Sequence, residues 1–258
     1  MELINNNNEK IVSVFFTAGY PRLGLICQTC NMLEKAGVNM IEIGIPCSDP
    51  LADGPVIQES SLVALENGMT LEILFKELSE LRKKVKIPVL LMGYYNQVLQ
   101  YGVKEFIRES NKCGVNGFII PDQPVESVFG ELCKQHTLAN VRLVCPSTSN
   151  ERIKMLDALS TGFLYVVSSS ATTGGSAVNV PGYFARLKTL GLKNKLITGF
   201  GIKDAASFES ATEFTNGAIV GSAFVRFISV EKNLDQEKII EFVKSIKPAI
   251  TEQQHMCV

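Results

Sequence analysis

The chain has 258 residues, a formal net charge of −1, 46% hydrophobic residues and 20% charged residues. That balance suits a folded core with a soluble surface. A charge so near zero argues against broad binding to nucleic acid or an anionic membrane, which needs a clear basic excess.

Taken in chain order, eight short β-rich runs span residues 11–16, 40–43, 89–92, 117–120, 141–144, 163–167, 195–197 and 218–220. The stretch after each run suits a helix, with three- and four-residue apolar spacing plainest over 23–36, 71–81 and 125–132. The runs are continuously apolar rather than alternating, as in a parallel sheet covered on both faces. Eight β-then-α units in this length predict an α/β fold of the (β/α)8 TIM-barrel type. The alternative is an open Rossmann-like sheet, which should carry G-x-G-x-x-G after its first strand. That turn instead reads Thr17-Ala18-Gly19-Tyr20-Pro21. No linker, charge run or low-complexity tract divides the sequence, so a single domain over 1–258 is expected. The opening MELINNNNEK shows no apolar core of a signal peptide. No run reaches the roughly 18 apolar residues of a membrane span.

Seven cysteines (Cys27, Cys30, Cys47, Cys113, Cys133, Cys145, Cys257) are odd in number and scattered, which predicts reduced thiols and a cytoplasmic protein. Cys27-Gln28-Thr29-Cys30 matches C-x-x-C but lies in a helical pattern without a second motif. With only His136 and His255 besides, no metal site is expected. His136 closes the polar end of a helix and reads as a surface residue.

In a barrel the active site forms at the C-terminal strand ends and the loops after them. Glu42 interrupts the apolar second strand, so its carboxylate either faces a ligand pocket or is ion-paired. The neighbouring strands offer no obvious basic partner, and a carboxyl in a pocket can have its pKa raised into the general-acid range. The loop after it carries Asp49 and Asp53, which turn chemistry alone could explain. Gly54-Pro55 and Pro121-Asp122 read most simply as turns. Glycine turns follow the seventh and eighth strands, Gly199-Phe200-Gly201 and Gly221-Ser222, where barrels commonly cradle phosphate. Gly199 alone is explained equally well by a tight turn. No Walker lysine follows, so a nucleoside triphosphate is not suggested. The long small-residue loop Ser168-Ser169-Ser170-Ala171-Thr172-Thr173-Gly174-Gly175-Ser176 reads as a lid or a surface loop.

The run Glu42-x-Gly44-x-Pro46-x-Ser48-Asp49-Pro50-Leu51-Ala52-Asp53-Gly54-Pro55-x-Ile57-Gln58 resembles the signature of tryptophan synthase alpha subunits. The similarity continues through Phe15-Phe16-Thr17-Ala18-Gly19-Tyr20-Pro21, Leu91-Met92-Gly93-Tyr94-Tyr95-Asn96, Pro121-Asp122-Gln123-Pro124 and both glycine turns, nearly the whole chain. The resemblance implies cleavage of indole-3-glycerol phosphate to indole and glyceraldehyde 3-phosphate, with Glu42 and Asp53 as the catalytic pair. It implies an indole pocket of Phe15, Ile119, Tyr165 and Phe200, with Tyr94 near the carboxylates. Thr173, Gly174, Gly201, Gly221 and Ser222 match substrate- or phosphate-binding positions. It implies no metal or cofactor in this chain, and a pyridoxal-phosphate beta subunit as partner in an alpha2beta2 complex. Pro46, Asp49 and Asn96 match positions near that interface. The sequence departs from the family pattern at Cys47, usually phenylalanine, at Ser169, frequently arginine, and at Ala171, usually glycine. The last two admit another reading, a chain that mainly activates the beta subunit with weakened lyase chemistry. A sugar-phosphate isomerase or epimerase is a third, which the second-loop signature opposes.

Overall fold

The computed structural model describes residues 9–50, 52–167, 180–199, 201–230 and 234–247. Eight parallel strands, β1 (Ile11–Thr17), β2 (Met40–Gly44), β3 (Val89–Met92), β4 (Gly117–Ile119), β5 (Ala139–Val144), β6 (Leu164–Val167), β7 (Leu196–Gly199) and β8 (Gly217–Val220), close into a barrel in sequence order. Closure of β8 onto β1 excludes the open sheet. Around the strands run α1 (Ile26–Lys35), α2 (Pro55–Glu66), α3 (Leu71–Leu78), α4 (Tyr95–Tyr101), α5 (Val103–Lys112), α6 (Val128–Gln135), α7 (Asn150–Leu159), α8 (Val180–Thr189), α9 (Ala205–Thr212), α10 (Ser222–Val230) and α11 (Gln236–Ile246).

The pleat sorts each strand into two faces. In β1, Val12, Val14 and Phe16 turn outward into the cluster that packs the helices, whereas Ile11 and Phe15 turn into the barrel. There they meet Met40, Leu90, Val141, Tyr165, Ile197 and Ile219. Glu42 belongs to this inner face, level with Phe15 of β1 on one side and Leu90 of β3 on the other. Burial on both faces explains why the strands read as continuous apolar runs.

Side-chain caps fix several helix starts: Thr70 for α3, Ser149 for α7, Asp204 for α9 and Asp235 for α11 each accept a first-turn N–H. Gly54-Pro55 is a helix start, not a separate turn. Gly54 is the N-cap and Pro55 the first residue of α2, where a missing N–H costs nothing. Three loops hold two helices rather than one: α2 and α3 after β2, α4 and α5 after β3, and α10 and α11 after β8. Among the described residues, no helix is long and apolar enough to cross a membrane.

Candidate active site

Glu42 is wholly buried. Its Oε1 accepts a hydrogen bond from the Ser13 hydroxyl at 2.8 Å, while Oε2 has no partner. Glu42 takes part in no ion pair among the described residues, so the paired-carboxylate explanation of Glu42 does not hold. Burial pushes its carboxyl up from 4.5 to about 8, against the Ser13 hydrogen bond, which favours the charged form. Glu42 therefore carries a proton at neutral pH, the state a general acid needs. Sequence reading missed Ser13. It stands two residues before Phe15, so the period-two rule places both on one face.

Asp53 lies in the loop between β2 and α2, half-buried. Its Oδ2 accepts from the Tyr94 hydroxyl at 3.1 Å, and that hydroxyl accepts from the Ala52 N–H at 2.9 Å. Gln58 Nε2 donates to the Asp53 carbonyl at 2.9 Å, tying the loop to α2. Burial raises the Asp53 carboxyl above 3.8, and the Tyr94 bond works in the opposite direction. The Tyr94 hydroxyl is raised in turn, by burial first and by the charge of Asp53 second.

Glu42 and Asp53 face one cavity of about 340 Å³ at the C-terminal end of the barrel. Phe15, Tyr165 and Ile219 form apolar walls that suit a flat ring. Tyr165 is held by shape. A side-chain carbon on Gly199 would collide with its hydroxyl, so the glycine at the end of β7 makes room for the wall. Close packing, not a turn, thus explains Gly199. The far end of the cavity is built from Gly201, Gly221 and Ser222. Gly201 has φ +77, in the left-handed region that favours glycine. Ser222 opens α10, so unpaired N–H groups of a helix N-terminus face this end. Lys203 and Arg226, both exposed, line the same end and add two cations. Sequence reading missed these as well. Lys203 follows Gly201 by two residues, and Arg226 lies one helical turn beyond Ser222.

The remaining expected residues divide. Tyr94 lines a smaller hollow that shares Phe15, Asp53, Ile57 and Met92 with the main cavity. Ile119 is buried in the barrel core and is not among the lining residues of either. Asp49, in the loop after β2, and Asn96, in the first turn of α4, are exposed, whereas Pro46 is buried with its carbonyl accepting from Gln97 at 2.7 Å. Ser169, Ala171, Thr173, Gly174 and Phe200 lie outside the described residues. Cys27 and Cys30 sit in α1 as free thiols, and His136 is an exposed C-cap of α6. Among the described residues no three histidine, cysteine or acidic side chains could together hold a metal ion.

A family model described as "Tryptophan synthase alpha chain" matches residues 1–253. The chain belongs to the tryptophan synthase alpha chain family. It is 50% identical to the tryptophan synthase alpha chain of Flavobacterium psychrophilum over 85% of this chain and 89% of that one. It is 47% identical to that of Christiangramia forsetii over 93% and 95%. The solved tryptophan synthase A-subunit of Pyrococcus furiosus superposes with a TM-score of 0.82 at 34% identity, covering 92% of this chain and 97% of that one. A ligand-free tryptophan synthase structure from M. tuberculosis gives 0.81 at 27% identity, over 93% and 92%. The alpha chain reaction of tryptophan biosynthesis is a carbon–carbon lyase reaction, and the family works with a beta subunit.

Proposed function

We propose that this cavity cleaves indole-3-glycerol phosphate, with Glu42 as the proton donor and Asp53 as the group that receives the ring N–H. One observation carries the assignment: a buried carboxyl, neutral at pH 7, presents an unpartnered oxygen in a cavity that a second carboxylate also lines. Breaking the bond between indole C3 and the glycerol chain requires a proton on C3. As the ring nitrogen pushes electrons toward C3, Glu42 supplies that proton, and Asp53 stabilises the positive charge building at the N–H. Glu42, now a carboxylate, takes the proton of the hydroxyl on the carbon joined to C3. The oxygen electrons form the aldehyde, the C–C bond breaks, and its electrons restore the aromatic ring. One proton enters and one leaves through the same side chain.

The substrate phosphate is assigned to the N–H groups at Gly201, Gly221 and Ser222, with Lys203 and Arg226 attracting the dianion. Because protons and electrons balance on these side chains, the scheme assigns no metal or organic cofactor to this chain. The partner is assigned as a pyridoxal-phosphate beta subunit in an alpha2beta2 assembly. Asp49 and Asn96 support this reading, being exposed at the barrel end where the cavity opens. Buried Pro46 contributes through the conformation of its loop.

The test is a steady-state assay of indole release from indole-3-glycerol phosphate, with and without a beta subunit. Saturable release that glycerol 3-phosphate inhibits competitively is expected. A chain that binds the substrate yet forms no indole under either condition contradicts the assignment.

A further inference from the structure

The outer wall of the barrel holds a second cavity, of about 930 Å³, between β5, α6 and α7. It shares no lining residue with the catalytic cavity. Ala139 and Val141 of β5 face the barrel interior, so the alternation turns Asn140 and Arg142 outward into a layer that is mostly apolar. Both are only 5% exposed and both line the cavity. Arg142 forms no ion pair among the described residues. Its Nη1 donates to the Gln123 carbonyl at 3.4 Å, and its Nε has no partner, nor does Asn140 Oδ1. A guanidinium keeps its charge at any physiological pH, and a charge taken from water without a counter-ion costs several kcal/mol by general estimates.

We propose that this cavity binds a small organic anion, a carboxylate or phosphate monoester on an apolar body, whose charged head pairs with Arg142. Its volume lies within the roughly 300–1,000 Å³ of small-molecule sites. Gly130 of α6 lies beside both groups: a side-chain carbon there would make ordinary van der Waals contact, 3.4 Å from Asn140 Nδ2 and 3.9 Å from Arg142 Nη2, so a larger side chain would fill the approach to them. Val128 and Leu159, 63% and 41% exposed, offer apolar walls for the ligand body. Glu126, Glu131 and Lys134 also line the cavity but are exposed, so water and salt screen them far more than they screen Arg142.

The test titrates the full chain with benzoate and, separately, with inorganic phosphate, while glycerol 3-phosphate fills the catalytic cradle. Backbone amide NMR shifts of Gly130, Cys133 and Thr161 are the readout. Saturable shifts with a Kd in about the millimolar range are expected, weakened at least about ten-fold in Arg142→Met. Response to benzoate alone assigns a carboxylate ligand, and response to phosphate alone a phosphate. Gly130→Leu, which fills the cavity and leaves Arg142 in place, should abolish the shifts should Arg142→Met fail to fold. Indole release should be unchanged in both variants. Absence of saturable shifts with either probe, or shifts equally strong in the variants, overturns the proposal.

Discussion

Glu42→Gln lowers the rate of indole formation by about 10²–10⁴, the usual loss when a general acid–base group is removed, and at the same time makes the fold more stable. The second effect follows from the first group's burial. Between pH 4.5 and about 8 the folded chain keeps a proton on Glu42 that the unfolded chain has released. Stability therefore falls as pH rises through that window, by roughly 3 kcal/mol at pH 7. Glutamine does not titrate and loses nothing there. Urea unfolding of the two proteins should give equal stability near pH 4 and a widening advantage for the variant up to about pH 8. Groups common to both proteins cancel in the difference. A variant that is less stable than the parent at pH 7, or that turns over normally, contradicts the role given to Glu42.

Asp53→Asn lowers kcat by about 10² or more, because an amide keeps the shape and loses the charge that faces the ring N–H. Substrate binding, held mainly by the ring pocket and phosphate end, changes little. The pH dependence gives a sharper check. Asp53 must be ionised to accept, and burial has raised its carboxyl from 3.8, so kcat/KM falls as pH drops through that raised value. Tyr94 donates to Oδ2 and holds the carboxyl down. Tyr94→Phe should therefore move the acid limb of the profile to higher pH and loosen Ala52, whose N–H then lacks its acceptor. An acid limb that stays in place in Tyr94→Phe removes Asp53 from that step.

Much of this architecture is legible in the sequence because both faces of each strand are buried. The run at 89–92 coincides with β3, and the eight-unit count gives the closed barrel. The edges are missed where polarity has another cause. The fifth strand is expected from 141, but β5 starts at Ala139, since outward-facing Asn140 and Arg142 break the apolar run. The seventh strand extends through Thr198, whose hydroxyl donates to the Val166 carbonyl, to Gly199. The helix read at 125–132 is displaced to Val128–Gln135, with Ser127 extended at its N-cap behind Pro124. In the site, Glu42 stands out because a lone carboxylate in an apolar strand demands an explanation. Ser13, Lys203 and Arg226 do not, because a serine in a strand and basic residues near helix starts are ordinary. Only the barrel's register and the cavity's walls give them a place. The alternative of a weakened lyase rests on Ser169 and Ala171, which lie outside the described residues, and nothing in the site or its relatives favours it.

The most direct measurement is the titration of Glu42 itself, by 13C NMR of the chain labelled at the glutamate side-chain carboxyl, with Glu42→Gln identifying the signal. A midpoint at about 8 is expected, so that the side chain is protonated and ready to donate at pH 7. A midpoint in the ordinary range of about 4–5 would leave Glu42 charged before the reaction begins and would contradict its role as the acid.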